Sequence, residues 1–266
     1  MPSAIVGKIL KRIGHPELLD VLSQKLSGTE LNSLLLEVFS QRATKLTPPV
    51  LLNRYQQNRF VKPADLPVIE LQRMELDLLE LFQEHLFQPL ELSPVANFGS
   101  CSVVGPVDQK KIISALRGTE VLADATNVMA LHICDLKQRK VWSPQTPTDK
   151  IRFGAIQRHV RTQQIAGKGF TPHFKIGCLV TAGYDAGSFA FEKESLFEHI
   201  AAMKALYLGY YKVEDLRFRF LCRPGFYPDA PDLAREIKGY VSHQDPEVRI
   251  DIIDAPPTEN SYYKGI

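Results

Sequence analysis

Two neighbouring strand-like segments limit the fold more than anything else in this chain. IRFGAIQRHVRTQ (151–163) and FTPHFKIGCLVTAG (170–183) are rich in β-branched and aromatic residues, and the stretch between them contains Gly167 and Gly169. A short glycine-containing connection between two such runs reads as a hairpin. Side chains alternate along a strand, so Arg158 and His159 are expected on opposite faces, while His173, Lys175 and Gly177 share one. Arg158, Arg161 and Lys175, with Gln163 and His173, fall in one small region of the hairpin. Such a set of cations can hold a phosphate through charge-assisted hydrogen bonds. It is also what a solvated basic face on an edge hairpin looks like, and composition alone favours that plainer reading.

The remainder of the chain alternates helical and strand periods. Residues from Val68 to about Leu86 form one long amphipathic pattern, with Leu71, Met74, Leu78, Leu79, Leu81 and Phe82 on the apolar side. PLELSP around Pro94 and EVLAD near Val121 read as short strands, and TNVMALHICDLKQ as a helix. After the hairpin come a helix FEKESLFEHIAAMKALYLG ending near Gly209, a strand DLRFRFLC, a helix PDLAREIKGYV and strands RIDIID and SYYKGI. The last pattern stops inside a strand, as in a fragment or in a final strand closing a sheet edge. The expected class is α+β, an antiparallel sheet flanked by helices.

Residues 1–62 form a separate helical N-terminal region, and residues 63–266 form the core. Ser3 is placed to cap a helix ending near Gly14, and Pro16 to open a second. Thr29 precedes a third, where Leu31, Leu34, Leu35, Val38 and Phe39 share a face. Thr47 caps a fourth that carries prolines in its first turn. Residues 60–68, with two prolines, read as a linker.

Composition narrows the functional classes. A formal net charge of +2 gives no whole-molecule attraction to polyanions. Charge is uneven, however. The N-terminal region is basic, through Lys8, Lys11, Arg12 and others, and the following helix is acidic, through Glu70, Glu75, Asp77, Glu80 and Glu84. RNA binding by the basic helices is the weaker reading against a solvated helical face. Cys101, Cys134, Cys178 and Cys222 form no CxxC pair, which argues against a metal or redox motif, and Cys134 and Cys178 lie in apolar sequence as small core residues. No disulfide framework, signal peptide or membrane-length apolar run is evident, so a cytoplasmic protein with no membrane partner is expected.

Read together, four segments resemble the catalytic core of class II aminoacyl-tRNA synthetases, of the histidyl type, over about residues 68–266. RHVRTQ followed by HFKIGCLVTAG is similar to the second signature motif, in which the first arginine contacts the ATP α-phosphate; Arg158 takes that place, with Arg161 and Gln163 in register. VLADATNVMALHI is similar to the element that holds the amino acid's α-amino group, with Asp124 and Thr126 in the working positions. Pro94 matches the proline of the first motif, and SYYKG resembles the paired-tyrosine element, with Tyr262 and Tyr263. The resemblance implies ATP with Mg as cofactor, an amino-acid-like ligand contacted by Asp124, Thr126, His173, Tyr262 and Tyr263, and a homodimer. It implies no resident structural metal. Asp124 is equally well placed as a helix cap, and the two tyrosines as strand packing residues.

The departures from the pattern bear on activity. Val160 and Leu179 stand where the family carries carboxylates, and Thr258 where it carries a catalytic arginine; the third motif would lie beyond Tyr263. Losing one charge-stabilising group typically costs on the order of 10²–10³ in rate. The expectation is therefore a diverged paralogue that binds an amino-acid-like ligand, with a nucleotide as second ligand, and does not charge tRNA. If it is an enzyme, it is an ATP-dependent ligase forming an acyl-adenylate. The alternative is a non-catalytic regulatory or sensing subunit acting through a protein partner, like the regulatory subunit of ATP phosphoribosyltransferase, which has the same core and an aspartate and threonine separated by one residue.

Overall fold

A computed structural model describes residues 3–105, 107–146, 148–162, 171–222 and 230–254. The chain begins with helices α1 (Ala4–Ile13), α2 (Leu18–Asp20, continued as a wide turn through Lys25), α3 (Gly28–Ala43) and α4 (Pro48–Gln57). Ser3 accepts from the Val6 amide and Gly14 ends α1 in a left-handed conformation, both as expected. The cap of α3 is Ser27, two residues before the expected Thr29. Its hydroxyl accepts from the Glu30 amide while the Glu30 carboxylate accepts from the Ser27 amide at 2.7 Å, a reciprocal box that Thr29 cannot form. No described residue of 3–61 is buried, and Leu34, Val38 and Phe39 stand in solvent.

The core starts with α5 (Val68–Glu84), which buries Leu78 and Phe82 as its periodicity requires. Then follow β1 (Gln88–Pro89), β2 (Val95–Asn97), β3 (Thr119–Val121) and α6 (Ala125–Gln138). The strand expected across PLELSP is instead split. Its middle is irregular, with the Leu90 amide donating to the Gly154 carbonyl and Pro94 accepting from Leu122. The two long strands are β4 (Ile151–Val160) and β5 (His173–Ala182), paired antiparallel, with Arg158 opposite Lys175 and His159 opposite Phe174. β1 adds to β4 in parallel, and β2 pairs antiparallel with β3.

Next come α7 (Ala190–Lys204, continued as a wide turn through Tyr210), β6 (Arg217–Cys222), α8 (Ala230–Gln244) and β7 (Arg249–Asp254). β6 and β7 pair in parallel, because the segment between them contains a helix and can return the chain to the same end. Ile200, Ile237, Val241, Val248 and Ile250 form the core under this pair. The class is thus α+β as expected, with the antiparallel β4–β5 pair at its centre.

Both faces of β4–β5 are covered, and this decides where the site residues go. Directly opposed residues of an antiparallel pair share a face. Phe153 and Ala155 pack with Met129 and Ile133 of α6. On the reverse face, Ile156 and Leu179 pack with Phe82 of α5. Gly154 permits that approach: a Cβ there would lie 3.0 Å from Phe82 Cδ2 and 3.1 Å from Leu179 Cδ2.

Cys101 and Cys222 are buried. Cys134, read from sequence as core, is exposed, because Ala125, Met129 and Ile133 take the inward side of α6 and position 134 turns away from it. Cys178 is half-buried, and burial pushes its thiol up to about 11.

Candidate functional site

Arg158 sits on the α5 face of β4–β5. Its guanidinium lies 2.9 Å from His173 Nδ1, and His173 Nε2 lies 2.7 Å from the Lys62 carbonyl. A carbonyl only accepts, so Nε2 carries the proton and Nδ1 accepts from Arg158. The imidazole is therefore neutral and bridges the hairpin to residue 62. Arg59 adds a second tie there by donating to the Thr162 carbonyl. Lys175, opposite Arg158, makes an ion pair with Glu75 of α5. Gln72 supports that carboxylate through Nε2 at 3.3 Å.

This face does not fit a triphosphate with magnesium. Lys175 is held by an internal carboxylate, and Arg158 is oriented onto a neutral histidine. Val160 is half-buried, and Leu179 packs on Phe82, so a carboxylate at 179 would be forced against an aromatic ring. The Glu75–Lys175 pair is mostly shielded, with side chains 12% and 20% exposed. Lys175→Met is expected to lower stability by about 2 kcal/mol, since it leaves a buried carboxylate without its cation. Adding Glu75→Leu should recover most of the loss. A double-mutant cycle from urea titrations measures the coupling.

The opposite face carries a different group. Asp124 precedes α6 as its N-cap, accepting from the Thr126 amide at 3.0 Å and the Thr126 hydroxyl at 2.6 Å. His159, almost fully buried, accepts from the Ala125 amide at Nε2 (3.0 Å) and donates from Nδ1 to the Gln157 carbonyl (2.7 Å). Burial holds its imidazole below the usual histidine range, against the opposing pull of the Gln157 carbonyl and the Asp124 carboxylate. Arg161 lies over the Phe174 ring at 5.6 Å.

Arg158, His173 and Lys175 lie toward α5, while Asp124, Thr126 and Arg161 lie toward α6. Alternation separates Arg158 from His159, and His159 binds the first turn of α6, so Asp124 follows His159 rather than Arg158. Gln163, Tyr262, Tyr263 and Thr258 lie outside the described residues.

Sequence reasoning missed Glu120. This carboxylate is fully buried and accepts from the Gly99 amide (2.9 Å), the Cys101 amide (3.0 Å) and Gln109 Nε2 (2.8 Å). It fixes the loop leading from β2 toward β3, beside the start of α6. Its only sequence trace is an acid inside a short strand pattern.

No family model matches the chain, and no curated protein matches it. Several dozen solved chains are similar in structure, two of which illustrate the likeness. One is described as an ATP phosphoribosyltransferase regulatory subunit/histidyl-tRNA synthetase from Bacillus halodurans, at 20% identity over 62% of this chain and TM-score 0.42. The other is a pyrrolysyl tRNA synthetase from Desulfitobacterium hafniense, at 14% identity over 61% and TM-score 0.40. The chain spans 40% and 52% of their respective lengths.

Proposed function

We propose that this protein is a synthetase-like binding protein that acts through a protein partner and does not itself form an adenylate. The observation that carries this reading is the engagement of Lys175 by Glu75 on the face where the synthetase-like motif would need a phosphate-binding cation. The hydrophobic occupants of positions 160 and 179 support it. Stabilisation of the charge that develops in phosphoryl and adenylyl transfer depends on cations aimed at that charge beforehand. A lysine already neutralised by a shielded carboxylate is not available for that task.

The ligand class remains amino-acid-like, and its place is the α6 face. There Asp124 and Thr126 present a carboxylate and a hydroxyl at a helix start. An α-ammonium complements the carboxylate, whereas the Ala125 and Thr126 amides of the helix start are already taken by His159 and Asp124. A homodimer is part of the same reading.

The test is amino-acid-dependent pyrophosphate exchange with each of the twenty amino acids, charging of total tRNA, and thermal shifts with and without ATP and magnesium. Expected are no exchange, no charging, and a shift with one amino acid that ATP does not enlarge. Binding at about a hundredfold excess over Kd adds about 2.7 kcal/mol of apparent stability, which such a shift registers. Robust exchange would overturn the proposal.

A further inference from the structure

α1 has a composition and an exposure that its own fold does not use. Its apolar residues Ile5, Val6, Ile9, Leu10 and Ile13 occupy one continuous side, and Lys8, Lys11 and Arg12 the other. Val6 and Leu10 are half-buried. Ile5, Ile9 and Ile13, spaced four apart, stand in solvent at 71%, 43% and 43% exposure. Spacing of four places them in one stripe along the helix, and the next position around the helix on the polar side is Arg12, followed by Lys8. No acidic residue occurs before Glu17.

We propose that α1 is a peripheral docking element for an anionic phospholipid surface. The isoleucine stripe enters the boundary between headgroups and acyl chains, and the flanking cations contact lipid phosphates. Such a helix lies in the interface plane. This differs from spanning: no helix among the described residues is long and apolar enough to cross a membrane. The expectation of no membrane partner rested on the absence of such a span and does not bear on a helix lying flat.

Charge selects this occupant over the alternatives. A second copy of α1 would bring like charges together beside the apolar stripe. A nucleic acid would satisfy the cations and leave three isoleucines in water. A bilayer with anionic headgroups satisfies both halves of the helix at once. Each juxtamembrane cation contributes about 1 kcal/mol at such a surface, so three cations correspond to roughly a hundredfold preference over neutral lipid.

The experiment is flotation of the full chain with vesicles of phosphatidylcholine alone, and with about a third of it replaced by phosphatidylglycerol. The partition coefficient is expected to rise about a hundredfold with the anionic lipid. The double variant Ile5→Gln/Ile9→Gln should lower it at least about tenfold on the anionic vesicles, and Lys8→Gln/Lys11→Gln should lower it by a similar factor. Both variants change exposed side chains, so their thermal midpoints should match the parent. No vesicle binding, equal binding to both vesicles, or an isoleucine variant that binds as well as the parent each overturns the proposal. The last would leave only charge-driven adhesion of the kind a nucleic acid also supports. No binding at all would assign the stripe to an acidic groove on a protein partner.

Discussion

Replacing Glu120 with alanine should cost about 3–5 kcal/mol, since two buried amides and the half-buried Gln109 side chain would lose a charged acceptor. The side chain is fully buried, and the Gly99 amide, the Cys101 amide and Gln109 Nε2 all lie within 3.0 Å of it. Glu120→Gln preserves the shape but turns one end of the group into a donor facing donors, so about half the loss is expected there. Urea titration reads both, with an unchanged slope if the native state stays compact. Hydrogen exchange at Gly99 and Cys101 should accelerate well before global unfolding, because the loop loses its anchor first. Burial alone would make this carboxyl harder to ionise, but the donors outweigh it and hold it below the usual value. Its contribution is therefore present above the unfolded-state value near about 4.3 and fades as pH falls through the folded-state value. An alanine variant as stable as the parent would mean that the loop is held by something other than Glu120.

That carboxylate also shows what the sequence could and could not disclose. Periodicity is a local property, and it located α5, α6, both long strands, α7 and α8. The capping box at Ser27 is equally local, a serine followed three residues later by glutamate, although Thr29 two residues on offers a competing cap. Glu120 was invisible because its donors come from positions 99, 101 and 109, which no local pattern ties to a strand residue. The pairing of Lys175 is hidden for the same reason: its partner Glu75 lies 100 residues away. Alternation correctly put Arg158 and His159 on opposite faces. It has no means of saying which face a later-packed helix will cover. The contact between His159 and the Ala125 amide settles that for α6, and with it the separation of Asp124 from Arg158.

The parallel pairing of β6 with β7 follows a related logic. The sequence gives two strands with a helix between them, and such a segment is long enough for a crossover. Whether the strands join the central sheet or form their own is decided by apolar surface. Ile237 and Val241 of α8 meet Ile200 of α7 beside Ile250 of β7, so this pair completes its own core instead of extending β4–β5.

Acidification should destabilise the protein from about pH 6.5 downward, because two histidines, His159 buried and His199 half-buried, are held in neutral form. His199 packs edge-on to Phe87, with ring centres 4.9 Å apart, and its Nε2 lies 2.9 Å from the Thr181 hydroxyl. Burial pushes its imidazole down to about 4, against the pull of Glu198 and with added repulsion from Arg152. His159 is shifted in the same direction, also chiefly by burial. A histidine depressed in the folded state binds its proton more readily when unfolded. Its contribution is thus complete above the unfolded value near about 6.5 and is lost as pH falls toward the folded value. For His199 alone, a window from about 6.5 to about 4 corresponds to about 3 kcal/mol. Urea midpoints measured across that window should fall steadily, and His199→Gln should flatten the slope. A parent whose stability is unchanged over the window would refute the assignment. The His159 share has a structural consequence of its own: protonation converts Nε2 from acceptor to donor against the Ala125 amide. The first turn of α6, which carries Asp124 and Thr126, should therefore loosen first, and exchange at the Ala125 amide should rise at a pH where the core around Ile237 is still protected.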